Sequence, residues 1–211
     1  MEMSMLVTTE IITSIDQSLA KELTKLFVTT FMQLPIYAGR EQLVFDAITK
    51  EIKSFNKPDN SRYAIIAKDN GQIVGLIFID LLKNGVLYLA HGAISQPYQQ
   101  QGVAKKMLEA FLTRYSNITG AFTLTREGNS AAVKLYEKKG FIKDMEIYTQ
   151  YPFLEALGYH YPPFLPYKIT PPSIKKIYPG IKFNFSGTNG VNTGVNEEKK
   201  NDTEKTLRSS L

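Results

Sequence analysis

Along the first 150 positions the apolar residues switch repeatedly between a period of two and a period near 3.6, and each switch predicts a change of element. Met5 to Thr13, rich in Val, Ile and Thr, predicts a first strand. Ser14 or Asp16 is placed to cap a helix whose Leu19, Leu23, Leu26 and Phe27 share one face. Glu41 to Phe55 repeats that spacing with Leu43, Val44, Ala47, Ile48 and Ile52. Three extended runs come next, Tyr63 to Lys68, Ile73 to Leu82 and Val86 to Ile94. They are separated by Asn70-Gly71 and Asn84-Gly85, dipeptides that favour tight hairpins. A helix opening at Gly102 carries Met107, Leu108, Phe111, Leu112 and Tyr115 on its apolar side. Ala121 to Thr125 predicts a strand, Asn129 to Lys139 a helix, and Met145 to Tyr151 a last strand. This order predicts an α/β domain over residues 1–155, with a mixed, mostly antiparallel central sheet flanked by helices.

The pattern breaks after Tyr151. Residues 156–185 hold six prolines and seven aromatics, too many prolines for a long helix or a central strand. So many aromatics are not left in water, which predicts an irregular arm packed on the domain, an acceptor-site lid or a dimer contact. Residues 186–211 turn to Gly, Asn, Thr, Lys and Glu, the composition of a disordered tail. The tail's mixed charge also bears a faint likeness to the C-terminal export signals of some bacterial secreted effectors.

Composition narrows the chemistry. Of 211 residues 43% are hydrophobic and 21% charged, values of an ordinary globular protein with one sizeable core. With no cysteine there is no disulfide, no cysteine nucleophile and no thiolate metal site. Only His91 and His160 are present, which argues against a histidine-rich metal centre. No apolar run reaches the ~18 residues of a membrane span. Met1 to Met5 lacks the basic start of a secretory signal, so a cytoplasmic protein without a membrane partner is expected. The net charge of +5 is local: residues 1–155 carry 17 basic and 16 acidic side chains, residues 156–185 four lysines and no acid.

Two motifs carry chemistry. Gln99-Gln100-Gln101-Gly102-Val103-Ala104 forms a turn running directly into a helix N-terminus, where backbone N–H groups and the helix dipole favour a phosphate. Gly102 lacks a Cβ, so the chain can approach such a group closely. Downstream, Asn129-Ser130-Ala131-Ala132 leads to Tyr136 and closes at Gly140-Phe141. In this order the two motifs resemble the GNAT superfamily of acyl-CoA-dependent N-acetyltransferases, a resemblance spanning roughly Met5 to Tyr151. Gln99, Gly102 and Ala104 fill its phosphate signature, while Asn129, Ala132, Tyr136 and Gly140-Phe141 fill its second.

The resemblance implies a GNAT-like fold and acetyl-CoA as co-substrate, its pyrophosphate held by residues 99–104. It implies that Asn129 and Ala132 lie along the pantetheine arm, and that a backbone N–H near Ile94 meets the thioester carbonyl. Tyr136 would protonate the departing thiolate, reasonable for a phenol of pKa ~10 facing a thiol of pKa ~8.5. The pattern departs from many relatives in two places: glutamine stands where they carry arginine, and Ala90 where they carry an acid–base residue. His91 is adjacent, but strict alternation points it to the opposite face unless a bulge swings it inward. Asp80 and ordered water are the alternatives. The expected activity is direct acetyl transfer to a primary amine, on a small molecule or a protein. The rivals are a CoA-binding regulatory module without turnover and an acetyltransferase for an RNA-linked amine that uses the basic arm. A homodimer is compatible with either.

Overall fold

The computed structural model describes residues 6–56, 61–115, 117–154 and 164–181. The expected tail and the first part of the arm lie outside them. The elements are β1 (Thr8–Ile12), α1 (Gln17–Phe31), α2 (Glu41–Phe55), β2 (Arg62–Asp69), β3 (Gln72–Leu81), β4 (Val86–Ile94), α3 (Val103–Arg114), β5 (Gly120–Arg126), α4 (Ser130–Lys138), β6 (Ile142–Lys143), α5 (Glu146–Gln150), β7 (Phe164–Ile169) and α6 (Pro171–Ile177). They build one seven-stranded sheet in the order β1-β2-β3-β4-β5-β7-β6. Among the described residues only the β4–β5 pair is parallel.

Local chemistry accounts for the element ends. Asp16, rather than Ser14, caps α1 by accepting from the Leu19 N–H at 2.8 Å. Asn70 and Gly71 take φ of 48° and 81°, the left-handed pair a two-residue hairpin requires. Strand alternation then splits the core in two. Ala64 and Ile66 of β2 face a cluster containing Leu23 and Phe27 of α1 and Val44, Ile48 and Ile52 of α2. Ile65 and Ala67 face the other side, with Met107, Phe111 and Leu112 of α3 and Ile174 of α6. Leu43, expected in the α2 stripe, is instead 48% exposed.

The C-terminal third corrects two expectations. Met145 to Tyr151 is not a strand: the Asp144 carboxylate accepts from the Glu146 N–H at 3.0 Å and starts the short helix α5. The strand role passes to β7, inside the proline-rich arm and between β5 and β6. Pro166 is tolerated there because its carbonyl, and therefore the side on which its N–H is missing, faces the Asp144 N–H just past the end of β6. The ladder to β5 loses no donor. Pro171 and Pro172 occupy the first turn of α6, where no N–H is required. Among the described residues no helix is long and apolar enough to cross a membrane.

Candidate functional site

The parallel β4–β5 ladder is short. It runs from Val86↔Gly120 to Leu89↔Thr123 and stops, although β4 continues to Ile94 and β5 to Arg126. A bulge causes the parting: Phe78 pairs with His91 and Ile79 with Leu89, leaving Ala90 unpaired and bending β4 away from β5. Beyond the bulge the Ser95 N–H bonds to the Val74 carbonyl at 2.9 Å. By strand alternation the N–H groups of Gly92 and Ile94 then face away from β3, into the wedge between β4 and β5.

At the apex of the wedge Thr123 Oγ1 donates to the Leu89 carbonyl at 2.9 Å. The Tyr136 hydroxyl is hydrogen-bonded to the Thr123 side chain. Thr123 thus links Tyr136 to Leu89 at the point where the strands separate. The ring is held against Phe141 and Tyr167 at centroid distances of 5.5 and 5.8 Å. Burial pushes the phenol above its ordinary pKa, outweighing the opposing hydrogen bond from Thr123, so the group stays protonated at neutral pH. Asn129 sets the entry of α4 by accepting from the Ala132 N–H at 3.2 Å.

The Gln99–Ala104 turn lies where β4 ends. Tyr98 tethers it by donating to Asp69 at 2.8 Å, on the β2–β3 hairpin. Gln100 and Gly102 both have positive φ, 62° and 78°, and α3 begins without a side-chain cap. Its first N–H groups are thus unclaimed by any capping side chain. A Cβ on Gly102 would meet nothing within 4 Å, so the outer face of the turn is open to a ligand. The glutamine side chains are engaged elsewhere. Gln99 Nε2 donates to the Ile94 carbonyl at 2.9 Å, and Gln101 Nε2 to the Pro97 carbonyl. Val103 points into the core. An anion here meets backbone, with Gln99 and Gln101 acting as braces.

The bulge also reverses His91. Instead of facing α3, its ring packs edge-on against Phe27 of α1 at 5.5 Å. Sequence reasoning missed its neighbours on that face, Glu51 of α2 and Arg62 of β2. His91 Nε2 lies 3.8 Å from Glu51 Oε2. Arg62 grips Asp80 through Nε at 2.9 Å and Nη2 at 3.1 Å, and reaches Glu51 at 3.3 Å. Burial, aided by the Arg62 charge and opposed by Asp80, lowers the His91 pKa to about 4. Burial raises that of Glu51 against the pull of Arg62. Glu51 is therefore the stronger proton acceptor of the two. With His91 neutral, two carboxylates against one guanidinium leave the cluster at net −1. Asp80, the charged residue within the apolar run of β3, and Arg62 at the start of β2 were the signals available in the sequence.

An imidazole whose pKa falls on folding binds its proton more tightly in the unfolded chain, so its contribution to stability is full above pH 6.5 and declines as pH drops towards about 4. Glu51, shifted upwards, opposes this as pH falls through its raised pKa towards 4.5. Melting temperature across this window should fall more steeply for the parent than for His91→Asn. Parallel curves would show that His91 takes up its proton equally in both states.

Among known proteins, residues 34–150 match the family model of an acetyltransferase (GNAT) domain. An N-alpha-acetyltransferase 30 from Schizosaccharomyces pombe is 31% identical over 96 residues, 42% of this chain and 63% of that protein. The chain therefore spans less than two thirds of the curated relative it matches. An acetyltransferase from Thermus thermophilus superposes with a TM-score of 0.59 at 15% identity, covering 79% of this chain and 99% of that one. A PaiA N-acetyltransferase from Thermoplasma acidophilum, solved with coenzyme A, gives 0.57 at 15% identity, covering 77% and 99%. At these identities the structures speak for the fold.

Proposed function

Because the chain belongs to the GNAT acetyltransferase family, we propose that it moves an acetyl group from acetyl-CoA directly to a primary amine. The observation that carries this reading is the wedge between β4 and β5, with a protonated phenol at its apex and open-edge N–H groups along one wall. Acetyl-CoA supplies an activated thioester carbonyl and a thiolate leaving group. Its pyrophosphate suits the open Gly102 turn, which offers several backbone donors at a helix N-terminus. The N–H of Ile94, with that of Gly92, is oriented to stabilise negative charge gathering on the carbonyl oxygen. Tyr136 donates the proton the leaving thiolate needs. The chain contains no cysteine, which leaves no cysteine-linked acyl-enzyme to form and favours direct attack.

The amine approaches from the α1–α2 face, where the negative cluster attracts an ammonium and where His91 and Glu51 are the groups able to receive its proton. The bulge at Ala90 thus supplies, from the next residue and from α2, what the alanine cannot. The relative's name makes a peptide α-amino group the first acceptor to try. The test is a panel of peptides, lysine side chains and small amines with labelled acetyl-CoA: labelled product on any of them supports transfer. Tight acetyl-CoA binding with no product on any amine would instead favour the reading that Ala90 suggests, a CoA-binding regulatory module.

Gly102→Val should weaken acetyl-CoA binding tenfold or more, about 1.4 kcal/mol. A β-branched residue is strained at a φ of 78°, and its side chain would stand where the pyrophosphate lies. Calorimetric titration of the folded variant checks this, and an unchanged Kd would remove the turn from the binding site.

A further inference from the structure

The chain between the end of β4 and the start of α3 is fixed from several directions at once. Gly75 of β3 pairs with Ile94 of β4. A Cβ on Gly75 would fall 2.8 Å from Ile94 Cδ1 and 3.1 Å from Met107 Sδ, so the isoleucine side chain lies over bare backbone and against α3. The Ile94–Ser95 peptide is then held at both of its polar ends. The Ser95 N–H donates to the Val74 carbonyl at 2.9 Å, and the Ile94 carbonyl accepts from Gln99 Nε2 at 2.9 Å. The second bond spans five residues and closes the loop over the 3₁₀ turn Gln96–Tyr98.

In an extended strand the N–H and C=O of one residue point to the same side. The Ile94 carbonyl therefore faces the wedge together with the Ile94 N–H, and Gln99 reaches it from that side. Gln99 also belongs to the turn that is open to a diphosphate. One side chain thus joins the two places where the thioester end and the phosphate end of acetyl-CoA would lie. An N–H that meets a developing oxyanion is most effective when its direction is set before reaction. Ile94 is the last residue of β4, beyond the point where β4 and β5 have parted, and a strand end is where backbone direction is otherwise loosest. Being uncharged, the Gln99 amide is not drawn off its carbonyl when a diphosphate arrives.

We propose that Gln99 is a positioning residue for acyl transfer. Its amide fixes the Ile94–Ser95 peptide, and through it the Ile94 N–H that meets the thioester oxygen, while the backbone of the Gly102 turn holds the phosphates. The inference rests on the transfer reading above and deepens it: Gln99 acts on the rate of the chemical step, and little on the affinity for acetyl-CoA.

The test compares two variants of the full chain. Gln99→Met keeps the length of the side chain and loses its N–H donors, whereas Gln99→Arg keeps donors within reach of the carbonyl. In Gln99→Met the single-turnover rate at saturating acetyl-CoA should fall about fivefold, the worth of one neutral hydrogen bond. Calorimetric titration should give a Kd for coenzyme A within twofold of the parent. Gln99→Arg should bring the rate back to within twofold. Amide hydrogen exchange at Ser95 should quicken in Gln99→Met and slow again in Gln99→Arg, because without the amide only Val74 holds that peptide. An unchanged rate in Gln99→Met, or a loss that appears in Kd and not in rate, would overturn the positioning role and leave acetyl transfer standing. A rate that Gln99→Arg does not restore would do the same. A parent that binds coenzyme A and acetylates no amine would overturn both.

Discussion

A chain ending at Glu155 should fail to fold cooperatively. It loses β7, which pairs with β5 from Ala121↔Ile169 to Arg126↔Phe164 and separates β5 from β6. It also loses the buried side chains of Tyr167, Ile169, Ile174 and Tyr178. At roughly 2 kcal/mol for each large apolar side chain removed from water, these four contribute about 8 kcal/mol. That is the size of a domain's entire net stability, about 5–15 kcal/mol. β5, buried along its whole length, would become an unpaired apolar edge, a template for aggregation. Circular dichroism and size-exclusion chromatography of the shortened chain check this. A soluble monomer melting at the parent's temperature would mean that β7 contributes nothing to the fold.

Tyr136→Phe should lower turnover about 10²-fold, the usual cost of removing a general acid, equivalent to about 2.7 kcal/mol of barrier. Folding and acetyl-CoA affinity should change little, because the ring still packs against Phe141 and Tyr167 and only the hydroxyl bonded to Thr123 is lost. Single-turnover kinetics beside calorimetric titration separates the two effects. Turnover within a factor of three of the parent would make Tyr136 a packing residue whose hydroxyl only orients Thr123.

The two halves of the fold differ in how far they could be read in advance. Up to α4 each element has a local cause: Asp16 at a helix start, Asn70-Gly71 at a hairpin, alternating Ala64 to Ala67 in a strand buried on both faces. After Phe141 the causes are not local. Met145 to Tyr151 carries apolar residues compatible with a strand, but the Asp144 carboxylate turns it into helix. Pro166 argues against a central strand until its carbonyl is seen to face Asp144 beyond the end of a two-residue β6. That arrangement depends on where a neighbouring strand stops, which no property of residues 156–185 encodes.

The candidate site divides in the same way. The sequence by itself determined the Gly102 turn and the helix bearing Tyr136, because a glycine before a helix start and an asparagine cap act within a few residues of themselves. The side of the sheet occupied by His91 was decided only by the tertiary structure. A single unpaired residue at Ala90 reverses the face of every later position in β4, and it exists because β3 and β4 pair in two registers on either side of it. The Glu51–Arg62–Asp80 cluster likewise exists only after α2, β2 and β3 meet. A side chain's charge state depends on burial and on its neighbours, and both are properties of the folded chain.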